Sequence, residues 1–155
     1  MIEEVIEEIR RSQSATQATD HAVAELLGIN DTDFRCLDII QRRGGTTAGE
    51  LAHESGLTTG AVTSVIDRLE RAGFARRVSD PSDRRRVLVE LTPKLTRQAA
   101  SVYQPLYEMT QRMFARYSDE QLESFLEFFR AGRELNEELT ADLRERLRRK
   151  RPPSA

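Results

Sequence analysis

Residues 47–73 read TAGELAHESGLTTGAVTSVIDRLERAG, and their apolar side chains recur at helical spacing on both sides of a glycine turn. Thr47 and Glu50 have the spacing of a capping box, in which each side chain accepts a hydrogen bond from the other residue's backbone N–H. Gly56 permits the left-handed backbone of a tight turn, and Thr58 can cap the helix that follows. The pattern predicts a helix-turn-helix, whose second helix enters the major groove of DNA, with an ordinary pair of packed helices as the alternative.

The outward face of the second predicted helix carries short and mostly uncharged side chains. A solvated helix face is more often rich in Glu and Lys. Short groups instead let the backbone approach a groove floor, where hydroxyls and methyls can contact bases or phosphates. The residues that we predict to contact DNA from this helix are Thr58, Thr59, Gly60, Ala61, Thr63, Ser64 and Arg68.

Two short strand patterns, at residues 74–78 and 86–91, follow this helix. The loop between them, residues 79–84, is rich in turn-forming residues, and the hairpin tip at residues 80–86 carries Arg84, Arg85 and Arg86. The negative potential of the minor groove attracts inserted arginine side chains. We expect Asp80 and Asp83 to pair with neighbouring arginines and brace the loop. The hairpin therefore predicts a DNA-contacting wing, which completes a winged helix-turn-helix over residues 32–91.

Helical patterns flank this module on both sides. Before the helix-turn-helix, we expect one helix that ends near Leu27 and another that is capped by Asp31 or Thr32. After the wing, we expect a long helix that starts at Pro93. Pro105 is expected to kink the long helix that starts at Pro93. The predicted fold is mainly α with a small two-stranded β-wing.

The leucines at the end of the chain recur at every fourth position from Leu135 to Leu147. One chain has little else to cover this stripe, which favours burial against a partner and hence a homodimer. We expect one domain over 1–147, with dimerisation helices at 1–27 and 93–147. Residues 148–155 are basic and then rich in proline, which predicts a disordered tail.

Composition excludes several classes of function. The chain has 155 residues, a formal net charge of −2 and no apolar run of membrane-spanning length. Its acidic start is unlike a signal peptide and it has a lone cysteine, Cys36, so we expect a cytoplasmic protein with that thiol in the core. His21 and His53 have no ligand cluster at metal-binding spacing. We therefore expect no metal, no cofactor and no enzymatic activity. The net charge is slightly negative, but the segment Arg68–Arg86 is locally basic, and an approaching phosphate backbone responds to the local field.

Three runs resemble the multiple antibiotic resistance regulator (MarR) family: residues 57–73, Asp80-Pro-Ser-Asp-Arg-Arg85 and Val87-Leu-Val-Glu-Leu-Thr92. The resemblance is sharp over Asp33–Leu95. It implies a homodimer that binds a pseudo-palindromic operator in double-stranded DNA, usually as a repressor. It also implies that Asp83-Arg84-Arg85 is the wing motif; Ser82 stands where the family often has a basic residue.

The resemblance further implies release from DNA by a small effector, often phenolic or lipophilic. Effectors of the family bind between the dimer helices and the DNA-binding lobe. That location suggests a pocket lined by His21, Phe34, Tyr103 and Tyr107, whose aromatic members could instead belong to the core. Two other functions fit the sequence: an architectural DNA-binding protein of low specificity, and a ligand-binding dimer that uses its winged helix for protein contacts.

Overall fold

The computed structural model describes residues 1–150, without the side chain of Arg148. Within that range the chain is mainly helical, with one two-stranded antiparallel sheet. The elements are α1 (Ile2–Leu27), α2 (Asp31–Arg43), α3 (Ala48–Ser55), α4 (Thr59–Ala72), β1 (Ala75–Ser79), β2 (Val87–Leu91), α5 (Pro93–Phe114) and α6 (Asp119–Lys150). This order confirms the predicted fold class. The chain divides into two compact units, of which the first is residues 1–104 and the second begins at Pro105.

Local side-chain caps begin the helices of the DNA-binding module. The capping box is present, since Thr47 Oγ1 accepts from Glu50 N–H at 3.2 Å and Glu50 Oε2 accepts from Thr47 N–H at 2.9 Å. Thr58 Oγ1 accepts from the Ala61 N–H at 3.2 Å and so caps α4. The cap expected for α2 was wrong: Asn30 fills that position and accepts from the Asp33 N–H at 2.9 Å. The helix therefore begins one or two residues earlier than expected, because the Asn30 oxygen accepts from a free N–H of the first turn.

Gly56 joins α3 to α4 with φ of 73°, in the left-handed region that other residues adopt at a cost. Around this turn, the inward stripes of α2, α3 and α4 form one apolar core, and the fully buried side chains include Ile40, Leu51 and Ile66. Cys36 is also fully buried there, and burial raises the pKa of its thiol. The core holds α4 rigidly, which is what a helix that presents a binding face requires.

The β-hairpin begins and ends on this core. Ala75 pairs with Leu91 at its base and Ser79 pairs with Val87 near its tip. Thr46 adds a single antiparallel bridge to Val89, with N–H···O distances of 3.1 and 2.7 Å. Each strand begins one residue later than the sequence pattern predicts. The bridge ties the hairpin directly to the turn before α3.

The long helices outside the module carry exposed apolar residues. α1 runs unbroken through its polar stretch, where Ser14, Thr16 and Thr19 donate to carbonyls one turn back. Pro105 lies inside α5. α6 extends to Lys150, three residues into the expected tail, and residues 151–155 lie outside the described part of the chain. Over residues 1–150, no helix has the length and hydropathy needed to span a membrane.

Candidate nucleic-acid interface

The exposed α4 face, which we define as Thr59, Gly60, Thr63 and Ser64, lies at the start of α4 and is uncharged. Thr63 and Ser64 donate their hydroxyl hydrogens to the carbonyls of Thr59 and Gly60 at 3.0 and 3.1 Å. Their oxygens can still accept hydrogen bonds, and the hydroxyls can rotate towards another acceptor. Thr58 is exposed beside this face as the cap, whereas Ala61 is half-buried.

Arg68 differs from the other predicted DNA contacts on α4 because its guanidinium is already bound. It donates to both carboxylate oxygens of Asp33 on α2, from Nε at 2.9 Å and from Nη2 at 2.6 Å. The Asp33 side chain is 3% exposed and that of Arg68 is 40% exposed. Bidentate pairing of this kind fixes geometry as well as charge. Arg68 therefore anchors α4 to α2.

Asp80 organises the wing tip, which comprises residues 80–86. Although charged, it is buried, and one of its carboxylate oxygens accepts from the Ser82 hydroxyl at 2.6 Å and the Ser82 N–H at 2.8 Å. These hydrogen bonds lower the pKa of Asp80. Asp83 accepts from the N–H of Arg85 at 3.0 Å and from its Nε at 3.3 Å. Both aspartates thus hold the loop in one shape.

The three wing-tip arginines have different surroundings. Arg84 is exposed and has no ion pair or hydrogen bond among the described residues. The Arg85 side chain is 91% exposed despite its contact with Asp83. Arg86 instead points back, with Nη2 donating to Glu50 at 3.2 Å and Nη1 3.8 Å from Asp80. Arg84 and Arg85 are therefore free to meet a ligand, whereas Arg86 ties the wing to α3.

Arg77 on β1 belongs to a network that sequence reasoning missed. Its Nη2 donates to Asp67 at 2.8 Å, its Nη1 pairs with Glu70, and its backbone N–H donates to Glu70 at 2.9 Å. Asp67 follows Thr63 by one helical turn, so it lies beside the exposed α4 face. The basic segment and the two acids are visible in the sequence, but nothing there shows that they meet.

Two adjoining open cavities lie between α1, α2 and the start of α5. The apolar cavity, ≈ 430 Å³, is lined mainly by aliphatic side chains, and the acidic cavity, ≈ 700 Å³, contains His21 and three aspartates. Phe34, Asp38 and Tyr103 line both. Three of the four predicted pocket residues are thus brought together. Tyr107, the fourth, is exposed in the second unit and is not part of either lining.

Charged contacts shape the acidic cavity. His21 Nδ1 lies 2.8 Å from Asp31 Oδ1, a hydrogen bond that raises the pKa of the imidazole. Burial raises the pKa of Tyr103, and the nearby carboxylates of Asp20 and Asp38 add to that effect. Arg35 also lines this cavity, and it donates to the carbonyl of Ser55 at the end of α3 at 2.8 Å. No cluster of three His, Cys, Asp or Glu side chains within residues 1–150 could hold a metal ion.

The chain matches the family model described as the MarR family over residues 29–87. It is similar to an uncharacterized HTH-type transcriptional regulator of Bacillus subtilis, YcgE, with 36% identity over 129 residues, 83% of this chain and 84% of the relative. It is also similar to the multiple antibiotic resistance protein MarR of Salmonella typhimurium, with 40% identity over 67 residues, 43% of this chain and 46% of that protein.

Solved structures share the fold. A MarR family protein from Bacillus stearothermophilus matches with a TM-score of 0.61 and 24% identity, covering 90% of this chain and 95% of that one. The apo form of wild-type MarR from E. coli matches with a TM-score of 0.54 and 21% identity, covering 81% and 93%.

Proposed function

The chain belongs to the MarR family of DNA-binding transcriptional regulators, and we propose that it is a repressor that binds a pseudo-palindromic operator as a homodimer and is released by a small effector. The observation that carries the proposal is the contrast of charges on its winged helix-turn-helix. The exposed α4 face is uncharged, while Arg84 and Arg85 are exposed at the wing tip. In this assignment α4 reads base edges in the major groove and the wing tip enters the adjacent minor groove.

The apolar stripe of α6 supports the homodimer. Leu135, Leu139, Leu143 and Leu147 are 47–67% exposed in the single chain and share one helix face. A stripe of this kind is usually covered by a partner. A two-fold dimer would place two α4 helices about one helical turn of DNA apart, roughly 34–36 Å, and so require a symmetric site.

The adjoining cavities support an effector site. A volume of ≈ 430 Å³ with mainly aliphatic lining is of the size that small organic ligands occupy. α2 lines this cavity and also holds α3 and α4 through Arg35 and Asp33. A ligand that prefers one position of α2 would therefore change the position of the DNA-binding helices, and operator affinity would fall through a population shift.

Selection of duplexes from a random pool tests the proposed function directly. We expect a two-fold symmetric site for the wild-type protein. A pool that retains no preferred sequence at matched salt would favour low-specificity architectural binding instead. Absence of any salt-sensitive duplex binding would favour the protein-contact function.

We expect Thr63→Ala to change the preferred base at one position of each half-site and to leave the salt dependence of binding unchanged. The reason is that removing a contact to a base changes discrimination by about 1–3 kcal/mol and leaves the phosphate contacts in place. Thr19→Ala is the matched control, because the exposed Thr19 hydroxyl also donates to a carbonyl four residues back in its own helix. Identical selected sites for wild type and Thr63→Ala would contradict the assignment of Thr63.

We expect Ala99→Leu to abolish release by a small phenol while leaving operator affinity without ligand unchanged. Ala99 lines the apolar cavity and is half-buried, so the larger side chain occupies ligand space. The measurement is operator binding by fluorescence anisotropy as phenol, which is uncharged at neutral pH, is added to each protein. Equal release of both proteins would show that this cavity is not the effector site.

A further inference from the structure

We propose that Arg77 is a positioning residue for DNA binding, which holds the outer part of the wing against α4 so that the exposed α4 face and the wing tip engage one duplex together. The inference rests on the roles proposed above for these two surfaces. It assigns to Arg77 no contact with DNA. The role differs from that of Arg84 and Arg85, whose guanidinium groups are exposed at the tip.

Three polar contacts connect Arg77 with the second half of α4. Its Nη2 donates to Asp67 Oδ1 at 2.8 Å, and its Nη1 pairs with Glu70. Its backbone N–H also donates to Glu70 Oε1 at 2.9 Å, so one carboxylate binds both the main chain and the side chain of the same strand residue. A shift of the hairpin relative to α4 would therefore break several charge-assisted hydrogen bonds together.

Apolar support for the hairpin declines from its base to its tip. Ala75 at the base is 3% exposed and Val89, which pairs with Arg77 in the middle of the hairpin, is 1% exposed, whereas Val87 near the tip is 52% exposed. Ionic contacts lie at the outer limit of this buried part: Arg77, opposite Val89, reaches α4 from β1, and Arg86, just before β2, reaches Glu50 on α3. The direction of the outer hairpin thus depends on these side chains, and Arg77 provides the connection to α4.

Arg77 also neutralises two carboxylates near the exposed α4 face. Unpaired, Asp67 and Glu70 would repel approaching phosphates. Weaker binding by an Arg77 variant could therefore arise from a misplaced wing, from exposed negative charge, or from removal of a direct bond to phosphate. The salt dependence of binding distinguishes a direct bond to phosphate from the other two causes. Removal of both acids together with Arg77 distinguishes exposed negative charge from a misplaced wing.

The experiment compares single-charge variants of the full chain by anisotropy, on the selected duplex and on an unrelated duplex, over a series of salt concentrations. Arg77→Gln removes the connection to α4, and Arg85→Gln removes an exposed tip arginine. Arg76→Gln is the matched control: Arg76 is the neighbouring strand residue, and its ion pair with Glu90 at 3.2 Å lies within the hairpin itself.

We expect Arg77→Gln to weaken binding to the selected duplex about tenfold, because only a fraction of molecules then has the wing correctly placed. The salt slope is the slope of the logarithm of the binding constant against the logarithm of the salt concentration. For Arg77→Gln it should match that of Arg76→Gln. For Arg85→Gln it should be shallower by roughly one for each phosphate that is no longer neutralised. Binding to the unrelated duplex should fall less. The unfolding midpoint should stay near that of wild type, because partly exposed ion pairs contribute little to stability.

Four outcomes would overturn the positioning role. A salt slope for Arg77→Gln as shallow as that for Arg85→Gln would mean that Arg77 touches phosphate. Recovery of wild-type affinity in the triple variant Asp67→Asn, Glu70→Gln, Arg77→Gln would mean that Arg77 acts only by neutralising the acids. Wild-type affinity in Arg77→Gln while Arg85→Gln is weakened would also reject the role, and wild-type affinity in both would reject the DNA-contact assignments as well.

Discussion

Replacing Arg84 and Arg85 together by alanine is expected to weaken binding to the selected and to random duplexes alike by about a hundredfold. These arginines are the exposed cations of the wing tip, and a tenfold loss for each corresponds to about 1.4 kcal/mol of binding free energy. The fold should be unaffected, because Asp80 holds the loop through Ser82. The salt slope should become shallower by roughly 0.9 for each phosphate that the variant leaves unneutralised.

A double variant at exposed helix positions away from the wing serves as the control. Arg10→Ala with Arg130→Ala removes the same formal charge; both residues are exposed in the single chain but lie in helices assigned to the dimer, so the variant serves as the control once it is shown to be dimeric. Its affinity should stay near that of wild type. If the wing-tip variant bound both duplexes normally, with an unchanged salt slope, the wing would not be a DNA contact.

The second large effect is expected on stability, and it should be asymmetric between the partners of the Asp33–Arg68 pair. Arg68→Met leaves a carboxylate that is 3% exposed without its cation. Loss of one partner of a buried pair costs about 3–5 kcal/mol, and because Arg68 is 40% exposed we expect about 2–3 kcal/mol. Asp33→Asn leaves only an arginine that can turn to solvent, so its cost should be about 1 kcal/mol.

Urea unfolding of the two single variants and the double variant measures this asymmetry. The double variant should be more stable than Arg68→Met alone, because no buried charge is left without a partner. In DNA binding, Arg68→Met should keep the wild-type salt slope, which distinguishes an anchor from a phosphate contact. If both single variants lost the same free energy of unfolding and Arg68→Met also had a shallower salt slope, Arg68 would belong to the DNA-binding surface.

The local elements of the fold could be predicted from sequence because their determinants lie within a few residues. Thr47 and Glu50 cap α3, and Gly56 makes the turn, through contacts between near neighbours. The cap of α2 was assigned wrongly for the same local reason: Asn30, Asp31 and Thr32 are all capable caps, and only the path of the chain decides which one meets the free N–H.

The candidate site could be predicted only in outline. The exposed α4 face and the wing-tip arginines lie on one module, as their order in the sequence indicates. Arg86 and Arg68 were grouped with them because sequence shows charge but not direction. Tyr107 was grouped with His21 and Tyr103, yet in the structure it does not line the acidic cavity that those two residues share.

The sequence by itself determined where the helices, the turn and the wing lie, because caps, glycines and periodicity act through neighbours. Only the tertiary structure decided which charged side chains are paired within the protein and which remain available to contact DNA. Asp33 and Arg68 are 35 positions apart, and Arg77 lies seven and ten positions from its two acids. An ion pair depends on the distance between side chains in space, and packing of one element against another sets that distance. The α4 face and the tip at Arg84 and Arg85 are the parts of the predicted surface that those pairs between elements do not occupy.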